Sequence, residues 1–77
     1  MIRGLISRQG ELFAYLRGDE LYTLEWELTG RLDRANHVVV DLRGRPVWRL
    51  YGDTVYFLDR HESIGYFSEP RPDWADL

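Results

Sequence analysis

The fold is decided by a ten-residue stretch that the chain carries twice. The clearer copy is Leu50-Tyr51-Gly52-Asp53-Thr54-Val55-Tyr56-Phe57-Leu58-Asp59, and the earlier copy is Leu16-Arg17-Gly18-Asp19-Glu20-Leu21-Tyr22-Thr23-Leu24-Glu25. Both read Leu-x-Gly-Asp-x-(Leu/Val)-Tyr-x-Leu-acid. A weaker copy at residues 31–42 lies between them, and it predicts a repeat of about 17 residues.

A second register runs through the strands that lead into each copy. Four segments align there, with a large apolar residue in fourth place in every segment and a small residue in second place in three. We expect the small residues where strands crowd around an axis. Trp48, the exception, is expected either to plug the centre or to fill the space that its three small neighbours leave. The segments are 13–16, 29–32, 47–50 and 64–67, and the small residues are Ala14, Gly30 and Gly65.

The repeat predicts an all-β domain of four β-hairpins. Short apolar segments bounded by turn formers are typical of strands, and no segment has the apolar spacing of a long helix. Many short strands with regular turns indicate a small closed or nearly closed barrel, here with pseudo-four-fold symmetry. Eight strands are expected near residues 2–8, 12–17, 20–25, 28–33, 37–42, 46–51, 54–59 and 63–67.

The apolar alternation also predicts which residues of the other strands face the core. We expect the pairs Tyr22 and Leu24, Val40 and Leu42, and Tyr56 and Leu58 to line the interior. Residues 1–67 form the predicted domain, and residues 68–77 a proline-containing tail. Proline cannot donate to a strand ladder, so this tail is expected to be extended, with Trp74 docking it on the barrel or offering it to a partner.

Residues 44–59, which read Gly-x-Pro-Val-x-x-Leu-x-Gly-Asp-x-Val-Tyr-x-Leu-Asp, resemble the repeat of the four-fold β-flower family. Residues 64–67 are similar to the closing strand of that family. The resemblance covers roughly residues 1–67 and implies a bacterial protein built from four hairpins around a shallow barrel. Barrels of this family have been likened to tubby-type lipid-binding domains, but the resemblance carries no functional residues with it.

Length and composition restrict the classes of protein. The chain has 77 residues, a net charge of −3 and no cysteine, so a single domain without disulfides or thiolate sites is expected. All ten basic residues are arginine. The first residues lack the apolar core of a secretory signal, and no apolar run is long enough to span a membrane. We therefore expect a cytoplasmic location.

The sequence does not favour an enzyme, a metal site or a cofactor. No serine lies in a Gly-x-Ser-x-Gly elbow, and His37 and His61, which are the only histidines, fall beside predicted turns. The carboxylates near each histidine match no known zinc spacing. The Gly-Asp pairs lack the acidic run of a calcium loop, so solvated turn acids are the preferred interpretation.

A binding or interaction module is the favoured function, for a small apolar ligand or lipid at the barrel mouth or for a protein partner. Trp48 and Trp26 break the repeat and are the first candidates, followed by Tyr22 and Tyr56, which architecture also explains. One alternative is an RNA-associated barrel with a patch of Arg43, Arg45 and Arg49, although the negative net charge disfavours nucleic acid. Another is a structural module that forms homo-oligomers.

Overall fold

Eight antiparallel strands follow one another around a closed barrel in the computed structural model, which describes residues 1–72. The first and last strands pair through Leu5 with Phe67 and Ser7 with Gly65. Closure confirms the predicted eight-stranded fold and leaves no open edge between these strands. The strands are Ile2–Ser7 (β1), Leu12–Arg17 (β2), Glu20–Tyr22 (β3), Leu28–Asp33 (β4), Val38–Asp41 (β5), Pro46–Tyr51 (β6), Thr54–Phe57 (β7) and Ser63–Phe67 (β8).

The core is a ring of buried residues supplied alternately by odd and even strands. Each odd strand contributes one residue to this ring. On one side, that residue pairs with the large fourth-place residue of the preceding strand. On the other side, it pairs with the second-place residue of the following strand. All four fourth-place residues are buried, as predicted. The odd-strand residues are Leu5, Leu21, Val39 and Val55, and their large partners are Phe67, Leu16, Leu32 and Leu50.

The predicted inner face of the odd strands is wrong by one residue. The side chains that reach the core ring are Leu21, Val39 and Val55, each one position before the expected pair begins. β3, β5 and β7 end earlier than predicted, so the expected leucines at 24, 42 and 58 fall in loops and are exposed. Val40 is buried as expected, but Tyr22 and Tyr56 are only half-buried.

Four register shifts recur at the same place in each repeat. Each shift lies directly after the core residue of an odd strand, so that one residue of the next even strand has no partner opposite it. Such β-bulges are common at barrel rims, where they bend the strand and redirect a side chain. The four bulged residues are Phe13, Thr29, Val47 and Ile64.

Two of the second-place residues are glycine because the backbone of a neighbouring strand lies where their side chain would be. A Cβ at Gly30 would overlap the carbonyl oxygen of Val40, and a Cβ at Gly65 would overlap that of Ile6. The expectation that small residues mark crowded strands holds at both positions. Ala14 and Trp48 hold the same place in the other two repeats.

The chain beyond β8 continues along β1 as far as it is described. Ser68 donates to the carbonyl oxygen of Gly4 over 2.8 Å, and Ile2 and Arg71 exchange two backbone hydrogen bonds of 2.7 and 2.8 Å. Pro70 and Pro72, which have no backbone N–H to donate, flank Arg71, the residue that pairs with Ile2. Residues 68–72 thus extend the closure of the barrel. Trp74 lies outside the described residues.

No helix within residues 1–72 is long and apolar enough to cross a membrane.

The close approach of backbone at β8 predicts that Gly65→Ala destabilises the barrel by about 1–3 kcal/mol, the usual cost of overpacking a filled core. Because the obstacle is the Ile6 carbonyl in the neighbouring strand, it cannot move without breaking the closing pair. Urea unfolding followed by tryptophan fluorescence measures the change. Ala14→Gly, at the equivalent place, is the matched control and is expected to cost at most about 1 kcal/mol. Equal stability of Gly65→Ala and the wild type would contradict this packing.

Candidate functional site

The four connections that lead from an odd strand to the next even strand lie at one end of the barrel, which we call the mouth. They are residues 8–11, 23–27, 42–45 and 58–62. The bulged residues lie next to these loops, and two of them, Phe13 and Ile64, pack against the buried core from this end. The mouth is therefore lined by residues that the bulges have turned toward the interior.

Trp48 follows the bulged residue Val47 in β6 and packs on the core near the mouth. It is half-buried, packs against the core cluster, and meets the ring of Phe13 edge-on at a centroid distance of 6.4 Å and an interplanar angle of 77°. Its three repeat equivalents are Ala14, Gly30 and Gly65, so it is the one large side chain at this place of the repeat. Its contacts with the core cluster and with Phe13 give it a packing role at the edge of the mouth.

A groove of about 340 Å³ opens at the mouth between the β1–β2 and β7–β8 loops. Phe13, Phe57 and Ile64 supply its apolar surface, and Arg8 and Glu62 lie at its border. We call it the mouth groove. Small-molecule sites in proteins are concave, mostly apolar and about 300–1,000 Å³ in volume, with a few polar groups that orient the ligand. The volume of the mouth groove lies at the small end of this range, and three apolar side chains lie among five polar lining residues.

The mouth loops present apolar side chains to solvent at equivalent positions. The residue after the start of the turn is Leu24, Leu42 or Leu58 in three loops, and these side chains are 44%, 59% and 44% exposed. In the β1–β2 loop the same position is Arg8. Three of the four mouth loops thus expose a leucine at the same place.

Trp26 occupies a backbone position that the repeat otherwise gives to glycine. In three mouth loops the N–H of the fourth residue returns to the carbonyl of the first, and that fourth residue has positive φ: 86° at Gly10, 83° at Gly44 and 61° at Trp26. A side chain at positive φ is strained by roughly 1–2 kcal/mol. Aromatic contacts offset this strain, because the indole stacks on Tyr15 at 4.4 Å and 2°.

The surroundings of Trp26 explain the position of Tyr22. Its ring is tilted against the indole at 5.5 Å, and the guanidinium of Arg17 lies 5.1 Å from the indole centroid. Trp26 remains 42% exposed beside Leu28, which is also 42% exposed. Tyr22 and Trp26 therefore form one cluster on the outer surface, and neither reaches the interior.

Arg49 and Tyr56 form a second outer pair. Arg49 lies 5.3 Å over the ring of Tyr56 and donates to the carbonyl oxygens of Phe57 and Arg60 over 3.2 and 2.9 Å. These bonds hold the β7–β8 loop, which forms one wall of the mouth groove. The guanidinium of Arg49 is thus engaged in shaping the mouth.

The other two arginines of the predicted patch lie on the β5–β6 loop. The backbone N–H groups of Arg43 and Arg45 donate to one carboxylate oxygen of Asp41 over 2.9 and 3.0 Å. The bond from the Arg45 backbone is the largest of the effects that lower the pKa of Asp41 below its usual value. Asp33 likewise has a lowered pKa, chiefly because it accepts from the side chain of Asn36. Both carboxylates cap turns.

The two histidines lie at opposite ends of the barrel. His37 belongs to the short β4–β5 turn, with φ of 55°, and His61 belongs to the β7–β8 loop at the mouth. No joint acid–base site can form from them. Within residues 1–72 no three His, Asp or Glu side chains come together in a way that would hold a metal ion.

Two replacements of Trp26 separate the cost of its backbone strain from the contribution of its aromatic contacts. Trp26→Gly removes the cost of positive φ, whereas Trp26→Ala keeps it, and both lose the stacking on Tyr15. We expect Trp26→Gly to be more stable than Trp26→Ala by about 1 kcal/mol, measured by urea unfolding followed by circular dichroism. A higher stability of Trp26→Ala would show that the backbone at this position does not adopt the left-handed conformation.

The cap at Asp41 predicts a pH-dependent contribution to stability. Because the pKa of this carboxyl is lower in the folded chain than in the unfolded one, its contribution is complete above the ordinary value of about 4 and is lost as the pH falls through the folded value. Asp41→Ala should thus lower the melting temperature at pH 7, and the difference from wild type should shrink toward pH 3. Asp59→Ala, which removes a carboxylate bonded to the Arg60 side chain, is the control. A difference independent of pH would contradict the cap.

Comparisons with protein-family models, with curated proteins and with solved structures find no match to this chain.

Proposed function

We propose that the domain is a non-enzymatic binding module that takes a small apolar ligand at the barrel mouth. The observation that carries this proposal is the mouth groove, where Phe13, Phe57 and Ile64 face a concavity of about 340 Å³. Its floor is continuous with the core, because Phe13 and Ile64 pack on the buried cluster together with Trp48. A ligand there would cover apolar surface that the fold itself leaves exposed.

The architecture supports a rigid site of this kind. The apolar lining residues lie on β2, β7 and β8 or at their ends, and strands position a binding surface more firmly than free loops do. Two of them, Phe13 and Ile64, are bulged residues, and bulges often re-aim side chains beside functional sites. Membership of the four-fold β-flower family is part of the same proposal, and four equivalent bulges around one barrel support it.

Binding is tested by titrating the protein with 1-decanol, an uncharged amphiphile, by calorimetry and tryptophan fluorescence. We expect binding in the mouth groove to alter the emission of Trp48 through its contact with Phe13. Ile64→Thr makes the groove more polar while keeping a β-branched shape, and it should weaken binding about tenfold.

The repeat offers a matched control, Val47→Thr, which makes the equivalent exchange at a bulge outside the groove lining. This variant should bind as the wild type does. Absence of binding to the wild type, or an equal loss in both variants, would overturn the proposed site.

The exposed leucines of the mouth loops favour a second candidate, association between copies of the domain. Leu24, Leu42 and Leu58 lie at equivalent positions and would supply apolar surface for contact with a second copy. Light scattering on the samples used for the titration separates the two candidates, since a ligand module stays monomeric. RNA binding is less favoured because Arg49 is engaged by the β7–β8 loop, away from the turn of Arg43 and Arg45.

A further inference from the structure

A second, more polar concavity adjoins the mouth groove. It has a volume of about 560 Å³, and it shares Arg8, Glu62 and Ser63 with the mouth groove. Its other lining includes Arg60 and His61. We call it the polar basin. An apolar space and a cationic space thus meet along a common border, which is an arrangement suited to a molecule with two unlike ends.

Arg8 stands at that border and departs from the repeat. The corresponding residue is leucine in each of the other three mouth loops, at positions 24, 42 and 58. The turn does not need arginine there, because the three leucine loops form without it. The charge is therefore a feature of this one loop, the loop that forms a wall of both concavities.

The charge of Arg8 is not neutralised within the described chain. Its guanidinium has no hydrogen bond, ion pair or ring contact among residues 1–72. The carboxylate in the polar basin, Glu62, is shared instead with Arg60 at 3.7 Å. The lining thus carries two guanidinium groups against one carboxylate. Asp59, outside the lining, also pairs with Arg60 at 3.4 Å, so Arg8 is the group left to pair with an anion.

We propose that the ligand of the mouth is a single amphipathic anion. Its unbranched alkyl chain lies in the mouth groove on Phe13, Phe57 and Ile64, and its carboxylate or other anionic head binds Arg8 at the edge of the polar basin. This inference rests on the proposed function and adds the charge and shape of the ligand. Arg8 is then the residue that selects the charged head, and the groove is the part that accepts the chain.

The experiment compares three probes with the same chain and different heads, each kept below its micelle concentration. Decanoate, 1-decanol and decyltrimethylammonium are titrated into the wild type by calorimetry at pH 7.4. We expect decanoate to bind about tenfold more tightly than decanol, and the cation to bind least, because only decanoate can form an ion pair with the Arg8 guanidinium. A rising salt concentration should weaken the binding of decanoate and leave the binding of decanol unchanged.

Arg8→Leu is the decisive variant because it installs the residue of the other three loops. It should reduce the affinity for decanoate about tenfold and leave the affinity for decanol unchanged or higher. Arg43→Leu removes an arginine from another mouth loop outside both concavities and should leave the preference for decanoate intact. Circular dichroism confirms that each variant is folded, and the salt dependence of the wild type tests the charge without any variant.

The outcomes separate this inference from the function on which it rests. Equal binding of decanoate and decanol, or an unchanged preference in Arg8→Leu, would overturn the anionic head while leaving an apolar site. Failure of all three probes would overturn both. Binding to phosphatidylglycerol vesicles without binding to dispersed decanoate would show that a bilayer surface is recognised, and it would overturn the single-molecule ligand.

Discussion

The structure depends on how an eight-stranded ring fills its own centre. A barrel of eight strands has an interior only wide enough for side chains to occupy. Here each odd strand inserts one aliphatic residue between a large neighbour and a second-place neighbour, and two of the second-place neighbours are glycines pressed against backbone carbonyls. Backbone fills the place of a side chain at Gly30 and Gly65, while at the equivalent place in β6 the indole of Trp48 packs against the core. The repeats are thus packed with different groups at the same place, which cores tolerate when the total volume is kept.

The even strands could be predicted from the sequence much more closely than the odd ones. Small residues in second place and large ones in fourth place are features of packing around an axis, and Leu16, Leu32 and Phe67 lie where this pattern puts them. The predicted inner face of the odd strands is one residue out, because the apolar alternation in the sequence continues past the end of each strand. Nothing in the residue types from Tyr22 to Leu24 marks where the ladder stops. Pairing and bulge position are properties of two strands together, so a single-strand pattern does not contain them.

The same limit governs the candidate site. Trp26 and Trp48 stand out in the sequence as departures from the repeat, and the structure gives them different roles: Trp48 packs against the core, and Trp26 covers the outer face from a strained turn. The mouth groove could not be predicted, because it exists only where bulges turn Phe13 and Ile64 inward. Arg8 carried a usable signal, since the loops beginning at Ser7, Thr23 and Asp41 have the same turn. The alignment of those loops shows one arginine among leucines.

Backbone hydrogen bonds hold both ends of the barrel, whatever the side chains of the loops are. Opposite the mouth, Leu32, Leu50 and Phe67 donate across to the carbonyls of Asp19, His37 and Asp53 over 2.7–2.8 Å. At the mouth, a backbone bond of 2.8–3.1 Å closes each loop, such as the one from Ser7 to Glu11. Such bonds do not depend on side-chain type, and they fix the repeat. At the mouth the bulged places hold Phe, Thr, Val and Ile, and the loops vary in length and charge. A scaffold held by backbone bonds leaves the side chains of its loops free to differ, which is the usual condition for a binding surface on a rigid fold. Residues of the mouth that differ between the repeats, such as Arg8, are variation of this kind.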